Sequence, residues 1–406
     1  MYKLRLVFLF LCGFFIYTSC KKNETADYHI GLMSGDDTLS EDSFVGGREL
    51  IARYGAVENG GIIQHVSYPD QFIEQEEVVI ASLLALASDP KMKAIIVNQG
   101  IPGTAEAFLR IRSLRPDILL FVGEPHEEPD TIQKAADIVV SEDFISRGYL
   151  IPWEAKNMGA DTFVHISFPR HMDYDTLGLR RQIMEEACKD LGLQFRYIEV
   201  PDPESDVGEA RTLRYVFENT PGWVEKYGKK ALFFCTNDAQ TGPLLRQLFQ
   251  YGGMFAEADI PSILVGYPEA LDLNLGKDLN AKEDLSVIFQ DIETAVVQKG
   301  GAGRFGTWRY PFGYVLSAGL GEFAKRVIDK TANIHSRVDL YMALGEFTPD
   351  SQWNGIYYIN METGREARNH IMVYMDTYIF GRGYLRTTRQ EVPEKYFAFK
   401  RAESSF

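Results

Sequence analysis

Seven short stretches of this chain place Asp, Asn, Gln, Ser and Thr, with an occasional Arg or Tyr, directly after an apolar run. They are Ser34 to Thr38, Asn98 to Thr104, Ser141 to Asp143, Ser167 to Asp173, Thr236 to Asp238, Tyr267 to Asp272, and Gln290 with Asp291. Such side chains donate to and accept from hydroxyls and amines, and aromatic rings stack, so the set suits the capture of a small polar solute. The candidate contacts are Ser34, Asp36, Asp37, Asn98, Gln99, Asp143, Arg170, Asn237, Asp238, Tyr267 and Gln290. The clearest example is Thr236-Asn237-Asp238, which follows Ala-Leu-Phe-Phe-Cys235 and precedes Leu244, Leu245, Leu248 and Phe249 at helical spacing. In a parallel sheet such a corner lies at the carboxyl end of a strand, facing a crevice. Asn237 or Asp238 could equally do no more than cap the helix.

Catalytic signatures are missing. The chain has no Gly-x-Ser-x-Gly elbow, no phosphate-binding Gly-x-x-x-x-Gly-Lys loop and no His-Glu-x-x-His. Its seven histidines are dispersed and no cysteine pair has zinc spacing, so neither metal nor cofactor is expected. Gly300 to Gly306 follows no strand and reads as a connection, and the acidic run Pro201 to Glu209 lacks the ligand order of a calcium loop. The expectation is binding, not catalysis. A carboxylate-based hydrolase is the weaker alternative.

The elements that must position these corners alternate between strand and helix. Tyr28 to Met33, Gly61 to Ser67, Ala94 to Val97, Ile118 to Val122 and Asp137 to Val140 read as strands, with helices between them. The alternation starts again with strands at Thr162 to Ser167, Gln194 to Val200, Ala231 to Cys235, Pro261 to Gly266 and Ser286 to Phe289. Apolar strands separated by helices mean βαβ units and a parallel sheet covered on both faces. Two such halves predict an α/β protein of two doubly wound parallel-sheet lobes, joined by a hinge with a central ligand cleft. The first lobe spans residues 28–145, completed by 290–335, and the second spans 146–289. Residues 336–406, rich in Tyr and Phe, form a C-terminal extension packing on the lobes.

A formal net charge of −15 with scattered Lys and Arg argues against a nucleic-acid surface. Lys3 and Arg5, the apolar run Leu6 to Ile16, and Tyr17-Thr18-Ser19-Cys20 resemble a bacterial lipoprotein signal, with Tyr17 where Leu is usual. The resemblance implies removal of residues 1–19, lipidation of Cys20 and a tether over residues 20–27. It also implies a cell-envelope location on the extracytoplasmic side of a bacterial membrane. Cys188 and Cys235 could then pair, although two separately buried thiols suit their places better.

At the strand ends the chain resembles the type I periplasmic solute-binding protein superfamily, which includes the ribose- and galactose-binding components of ABC importers. Thr236-Asn237-Asp238-Ala239 is similar to that family's strand-end Asn-Asp, and Val265-Gly266-Tyr267 to its Val-Gly-aromatic corner, with Pro268 where Asp is usual. Ser286-Val-Ile-Phe-Gln290-Asp291 is similar to the returning hinge strand, whose glutamine meets ligand, and Val140-Ser-Glu-Asp143 with Gly148 to the end of the first lobe's sheet. The resemblance implies a lipid-anchored monomer that captures a sugar, nucleoside or similar solute for an ABC permease and ATPase. A sensing module signalling to a membrane partner is the alternative.

Overall fold

The computed structural model describes residues 26–36, 41–205, 208–273, 285–360 and 363–398. The expected leader with Cys20 and the candidate Asp37 lie outside the described residues. The first lobe runs β1 (His29–Ser34), α1 (Glu41–Tyr54), β2 (Ile63–Ser67), α2 (Glu76–Ala87), β3 (Met92–Val97), α3 (Thr104–Leu114), β4 (Leu119–Gly123), α4 (Pro129–Ala135) and β5 (Ile138–Glu142). Ala94, Ile95, Ile96 and Val97 of β3 are wholly buried, as a strand covered on both faces must be. The strands pair in parallel in the order β2-β1-β3-β4-β5. That doubly wound order reverses direction between β1 and β3, and the carboxyl ends of the strands at such a reversal are where sheets of this kind hold ligands.

The second lobe runs α5 (Phe144–Met158), β6 (Thr162–Ser167), α6 (Pro169–Asp173), α7 (Asp175–Leu191), β7 (Gln194–Glu199), α8 (Glu209–Tyr227), β8 (Ala231–Cys235), α9 (Thr241–Tyr251), α10 (Tyr267–Leu271) and α11 (Leu285–Gln298). Its sheet, β7-β6-β8, is parallel throughout, and Met254 extends it through a parallel bridge to Leu232. Two expected strands are absent. Residues 261–266 form turns, with Val265 N–H donating to Ser262 O and Tyr267 N–H to Val265 O. Ser286 to Phe289 lies inside α11, because Leu285, Ile288, Phe289, Ile292 and Val296 bury one face at helical spacing. A four-residue apolar window does not show that period. Cys188 and Cys235 are free and buried.

The chain then returns through β9 (Gly306–Trp308), α12 (Phe312–Ile328), α13 (Arg337–Gly345), β10 (Trp353–Ile359), β11 (Glu366–Met375), β12 (Thr377–Ile379) and β13 (Gly383–Tyr384). Helix α12 covers the first lobe against α1 at very close approach: a side chain at Gly46 would lie 2.3 Å from the Tyr314 carbonyl. The C-terminal residues do more than pack on the lobes. Strand β11 pairs in parallel with β5, His370 opposite Val139, and β10 lies antiparallel outside it, so the first sheet has seven strands. Strand β12 leaves that sheet to pair with β9 and β13.

Among the described residues the lobes are therefore connected three times. The chain passes from β5 into α5 at Asp143, from β9 into α12 at Arg309 to Pro311, and from β11 into β12 at Asp376. The second passage falls later than residue 290, because Phe289 of α11 packs on Tyr378 and Phe380 beside β9.

Candidate functional site

Strand ends of the first lobe form one wall of the crevice. Ser34 is wholly buried at the end of β1, and its hydroxyl donates to Gly35 O at 2.8 Å. It is then left to accept from His65 Nε2 at 2.8 Å, and burial lowers the His65 pKa to about 4, keeping that ring neutral. Asn98, at the end of β3, donates through Nδ2 to Gly313 O and to Ser317 Oγ, both at 2.7 Å. A carbonyl can only accept, so the amide orientation is determined and Asn98 Oδ1 is left buried without a partner. Gln99 follows at φ 55° and takes the Tyr68 hydroxyl proton on Oε1 at 2.8 Å. Burial raises the Tyr68 pKa, with smaller contributions from Asp42 and Asp36, so both carboxylates stand near that hydroxyl. Glu124, at the end of β4, has φ 29°. Among the described residues only six non-glycines take positive φ, and two of them, Gln99 and Glu124, stand on this wall. Strained backbone of this kind collects at binding sites.

The facing wall comes from the second lobe. Ser167 closes β6 and Thr236 follows β8; both are buried and their hydroxyls meet at 2.6 Å. His171 Nδ1 lies 3.2 Å from Thr236 Oγ1 and its ring packs 4.0 Å from that of Phe168. Asn237 keeps an unpartnered Oδ1. Asp238 stays partly accessible and accepts only the long 3.4 Å contact from Ile260 N–H. Its pKa is raised, by burial first and by Asp259 beside it second.

Two arginines join the walls at their base. Arg147 on α5 and Arg180 on α7 are each about 98% buried. Arg147 donates to Glu257 Oε1 at 2.8 Å, Asp259 O at 2.8 Å and Ala258 O at 2.9 Å, and it also pairs with Glu142. Arg180 donates to Glu142 Oε1 at 2.7 Å and to Asp259. Glu142 thus ties the end of the first lobe's β5 to a helix of the second. Glu124 accepts from the Glu142 N–H at 2.9 Å, and burial, followed by the Glu142 charge, pushes its pKa up to about 8. Asp259, Glu142 and Arg147 act on both Glu124 and Asp238, which places these carboxyls of opposite lobes in one electrostatic field.

Several expected contacts have other employment. Tyr267 is buried in the second lobe with its hydroxyl donating to Gly306 O at 2.6 Å, and its ring packs against Phe255 and Phe380. Gln290 is exposed on α11, since the hinge strand expected there is a helix. Arg170 forks onto Asp202 at 2.7 and 2.9 Å and reaches Glu204 at 3.0 Å, an ion pair within its own lobe. Asp143 caps α5 by accepting from Ser146 N–H at 2.8 Å, and burial raises its pKa to about 7. Ser34, Asp36, Asn98, Gln99, Asn237 and Asp238 are brought to the strand ends. Glu124, Arg147, Arg180, Glu257 and Asp259 escaped the sequence reading, and Glu142 stood within an expected corner without being a candidate contact. Arg147 shares a helical stripe with Ile151, Ala155 and Met158, as Arg180 does with Met184 and Ala187; a guanidinium in an apolar stripe was the available signal.

Two α/β lobes, three connections and opposed strand ends define the fold class of the type I periplasmic binding proteins. The chain belongs to the family described as "Protein of unknown function (DUF3798)", whose model matches residues 28–306. A second family model matches residues 317–399. Two relatives from Treponema pallidum (strain Nichols), each named "Uncharacterized protein", are 53% identical over 44% of this chain and 81% of the relative, and 45% identical over 53% and 96%. A solved chain from Clostridium difficile 630, described as a "Putative transcriptional regulator", is 19% identical and superimposes with a TM-score of 0.77 over 87% of this chain and 99% of its own. That likeness concerns the fold alone. A periplasmic ribose ABC transporter protein from Conexibacter woesei DSM 14684 matches at TM-score 0.45 and 11% identity over 88% of this chain and 93% of its own. A glucose-galactose binding protein from Geobacillus stearothermophilus matches at 0.43 and 15% over 76% and 93%.

Proposed function

We propose that the protein is an extracytoplasmic receptor, anchored through lipid on Cys20, that captures a small polar solute between its lobes and delivers it to an ABC permease and ATPase. The observation that carries this reading is an unsatisfied polar oxygen at a strand end of each lobe, Asn98 Oδ1 in the first and Asn237 Oδ1 in the second, the latter beside the weakly engaged Asp238. Buried polar atoms without partners are costly, and a ligand that bridges them recovers that cost only when the lobes meet. Three thin connections permit such closure. The leader supports the anchor, and the formal charge of −15 disfavours a nucleic-acid partner.

Native mass spectrometry of the protein as purified, followed by a thermal-shift screen of sugars, nucleosides and other polar solutes, tests capture directly. Retention of an apolar compound together with failure of every polar solute would refute it. Radiolabelled fatty acid incorporation that is lost in Cys20→Ala tests the anchor, and a monomeric mass in solution tests the expected oligomeric state.

One observation favours signalling as a second reading. The C-terminal residues hold both lobes, through β11 in the first sheet and through Tyr396, whose hydroxyl donates to Asp190 on α7 at 2.5 Å. Closure would strain that strap. Solute-dependent crosslinking to a membrane kinase or chemoreceptor in place of a permease would favour signalling.

A further inference from the structure

The carboxyl groups of the crevice outnumber its guanidiniums. Glu124 and Glu142 belong to the first lobe; Asp238, Glu257 and Asp259 stand with them from the second. Against these five stand Arg147 and Arg180, and their charges are already engaged by Glu142, Glu257 and Asp259. Arg170 is engaged by Asp202 and Glu204. Burial lowers the pKa of His65, His126 and His171, so the nearby imidazoles add no positive charge at neutral pH. Glu124 and Asp238 are the two carboxyls that accept from no side-chain donor: each takes one backbone N–H, at 2.9 and 3.4 Å.

A second, independent observation has the same sign. The wholly buried Asn98 presents an unpartnered oxygen, not an unpartnered N–H, and Gly313 O determines that orientation. What is missing there is a donor. Half-buried rings stand nearby: Phe44 packs 5.5 Å from His65, while Phe72 packs 5.4 Å from Tyr68 and 5.8 Å from His126. Carboxylates, an acceptor-only amide face and aromatic rings together are the surroundings that an ammonium or guanidinium group selects, because it donates, never accepts, and is attracted to ring faces. A sugar hydroxyl also needs acceptors, but it needs donors as well, and the charged donors of this site, Arg147 and Arg180, are occupied by its own carboxylates.

We propose that the captured solute is an organic cation, an amine or guanidine, bridging Glu124 of the first lobe and Asp238 of the second, with Asn98 Oδ1 accepting from it. This rests on the receptor reading above and names its ligand class. The cation supplies the positive charge that the arginines at the base leave uncompensated, so closure and neutralisation occur together. A cleft of one sign also focuses its field and speeds capture at low salt.

The test uses the chain from residue 21 onward and two matched panels. One contains putrescine, spermidine, arginine and choline; the other contains ribose, glucose and inosine. At least one cation is expected to raise the melting temperature by several degrees at millimolar concentration, with affinity falling several-fold between 50 and 300 mM salt. Since Glu124, whose pKa burial pushes up to about 8, must ionise to pair with it, affinity is expected to rise on the order of fiftyfold from pH 6 to pH 8, with proton release visible by calorimetry in two buffers. Glu124→Gln and Asp238→Asn should each weaken that binding tenfold or more. The exposed substitution Glu106→Gln should leave it within twofold. A sugar or nucleoside that binds while every cation fails overturns the cationic assignment and leaves the receptor standing. Silence from both panels overturns both. Cation binding unchanged in Glu124→Gln and Asp238→Asn overturns the placement.

Discussion

Arg147→Met is the substitution that best tests how the base of the crevice is held. The guanidinium is buried and donates to two carboxylates and two backbone carbonyls, and methionine fills much of the same stem volume while removing every donor. Removing one partner of a buried ion pair costs roughly 3–5 kcal/mol, because the remaining charge stays desolvated. Glu142 retains Arg180, but Glu257 loses its only guanidinium, so the upper part of that range is expected. At about 2–4 °C per kcal/mol for a domain of this size class, the melting temperature should fall on the order of 10 °C at pH 8. The sign of its pH dependence follows. Without Arg147 the orphaned carboxyls hold protons more tightly in the folded state than in the unfolded state. The stability tied to those protons is present at low pH and lost as pH rises through the folded pKa, so the deficit should shrink on moving from pH 8 to pH 5. Melting curves of parent and variant across that range decide the matter. A variant that melts within about 2 °C of the parent at pH 8, or whose deficit grows on acidification, would show that the cluster is not the buried ionic joint described.

Three further outcomes are expected. Asp143→Asn keeps an oxygen to cap Ser146 N–H but removes a carboxyl whose pKa is raised from 3.8 to about 7 by burial. The parent's protonated form contributes stability below about pH 4 that is lost as pH rises through 7, so the asparagine variant should overtake the parent in melting temperature between pH 4 and pH 8. Tyr267→Phe should cost about 1–2 kcal/mol by stranding Gly306 O, read as a lower denaturation midpoint, while solute affinity stays within twofold, since that hydroxyl faces the core. A chain ending at Gly345 should be insoluble, or melt far below the parent. It loses the wholly buried Ile371, Met372 and Val373 and bares the β5 edge; soluble expression with an unchanged melting curve would contradict the seven-stranded sheet.

How far the residues disclose this arrangement depends on the range of the interaction concerned. Strands such as Ala94 to Val97 and Ala231 to Cys235 are legible because both faces are buried and the apolar run is unbroken. The corners after them are legible for the same reason, which is how Asn98, Gln99, Asn237 and Asp238 could be named as candidates. Gln290 went astray because Ser286 to Phe289 is too short a window to tell period 3.6 from a buried strand. Tyr267 did so because a tyrosine beside a turn carries the same local pattern whether its hydroxyl meets a ligand or Gly306 O. The union of Arg147, Arg180, Glu142 and Glu257 depends on tertiary approach alone, and only the placement of two arginines within apolar stripes hints at it. The pairing of His370 with Val139 leaves no local trace at all.

That last pairing bears on how the chain is made. While synthesis proceeds, β5 stands as an open border until the stretch carrying His370 has left the ribosome, when most of the polypeptide already exists. An early lobe cannot complete itself from its own residues, so consolidation of the first sheet waits until β11 has been made.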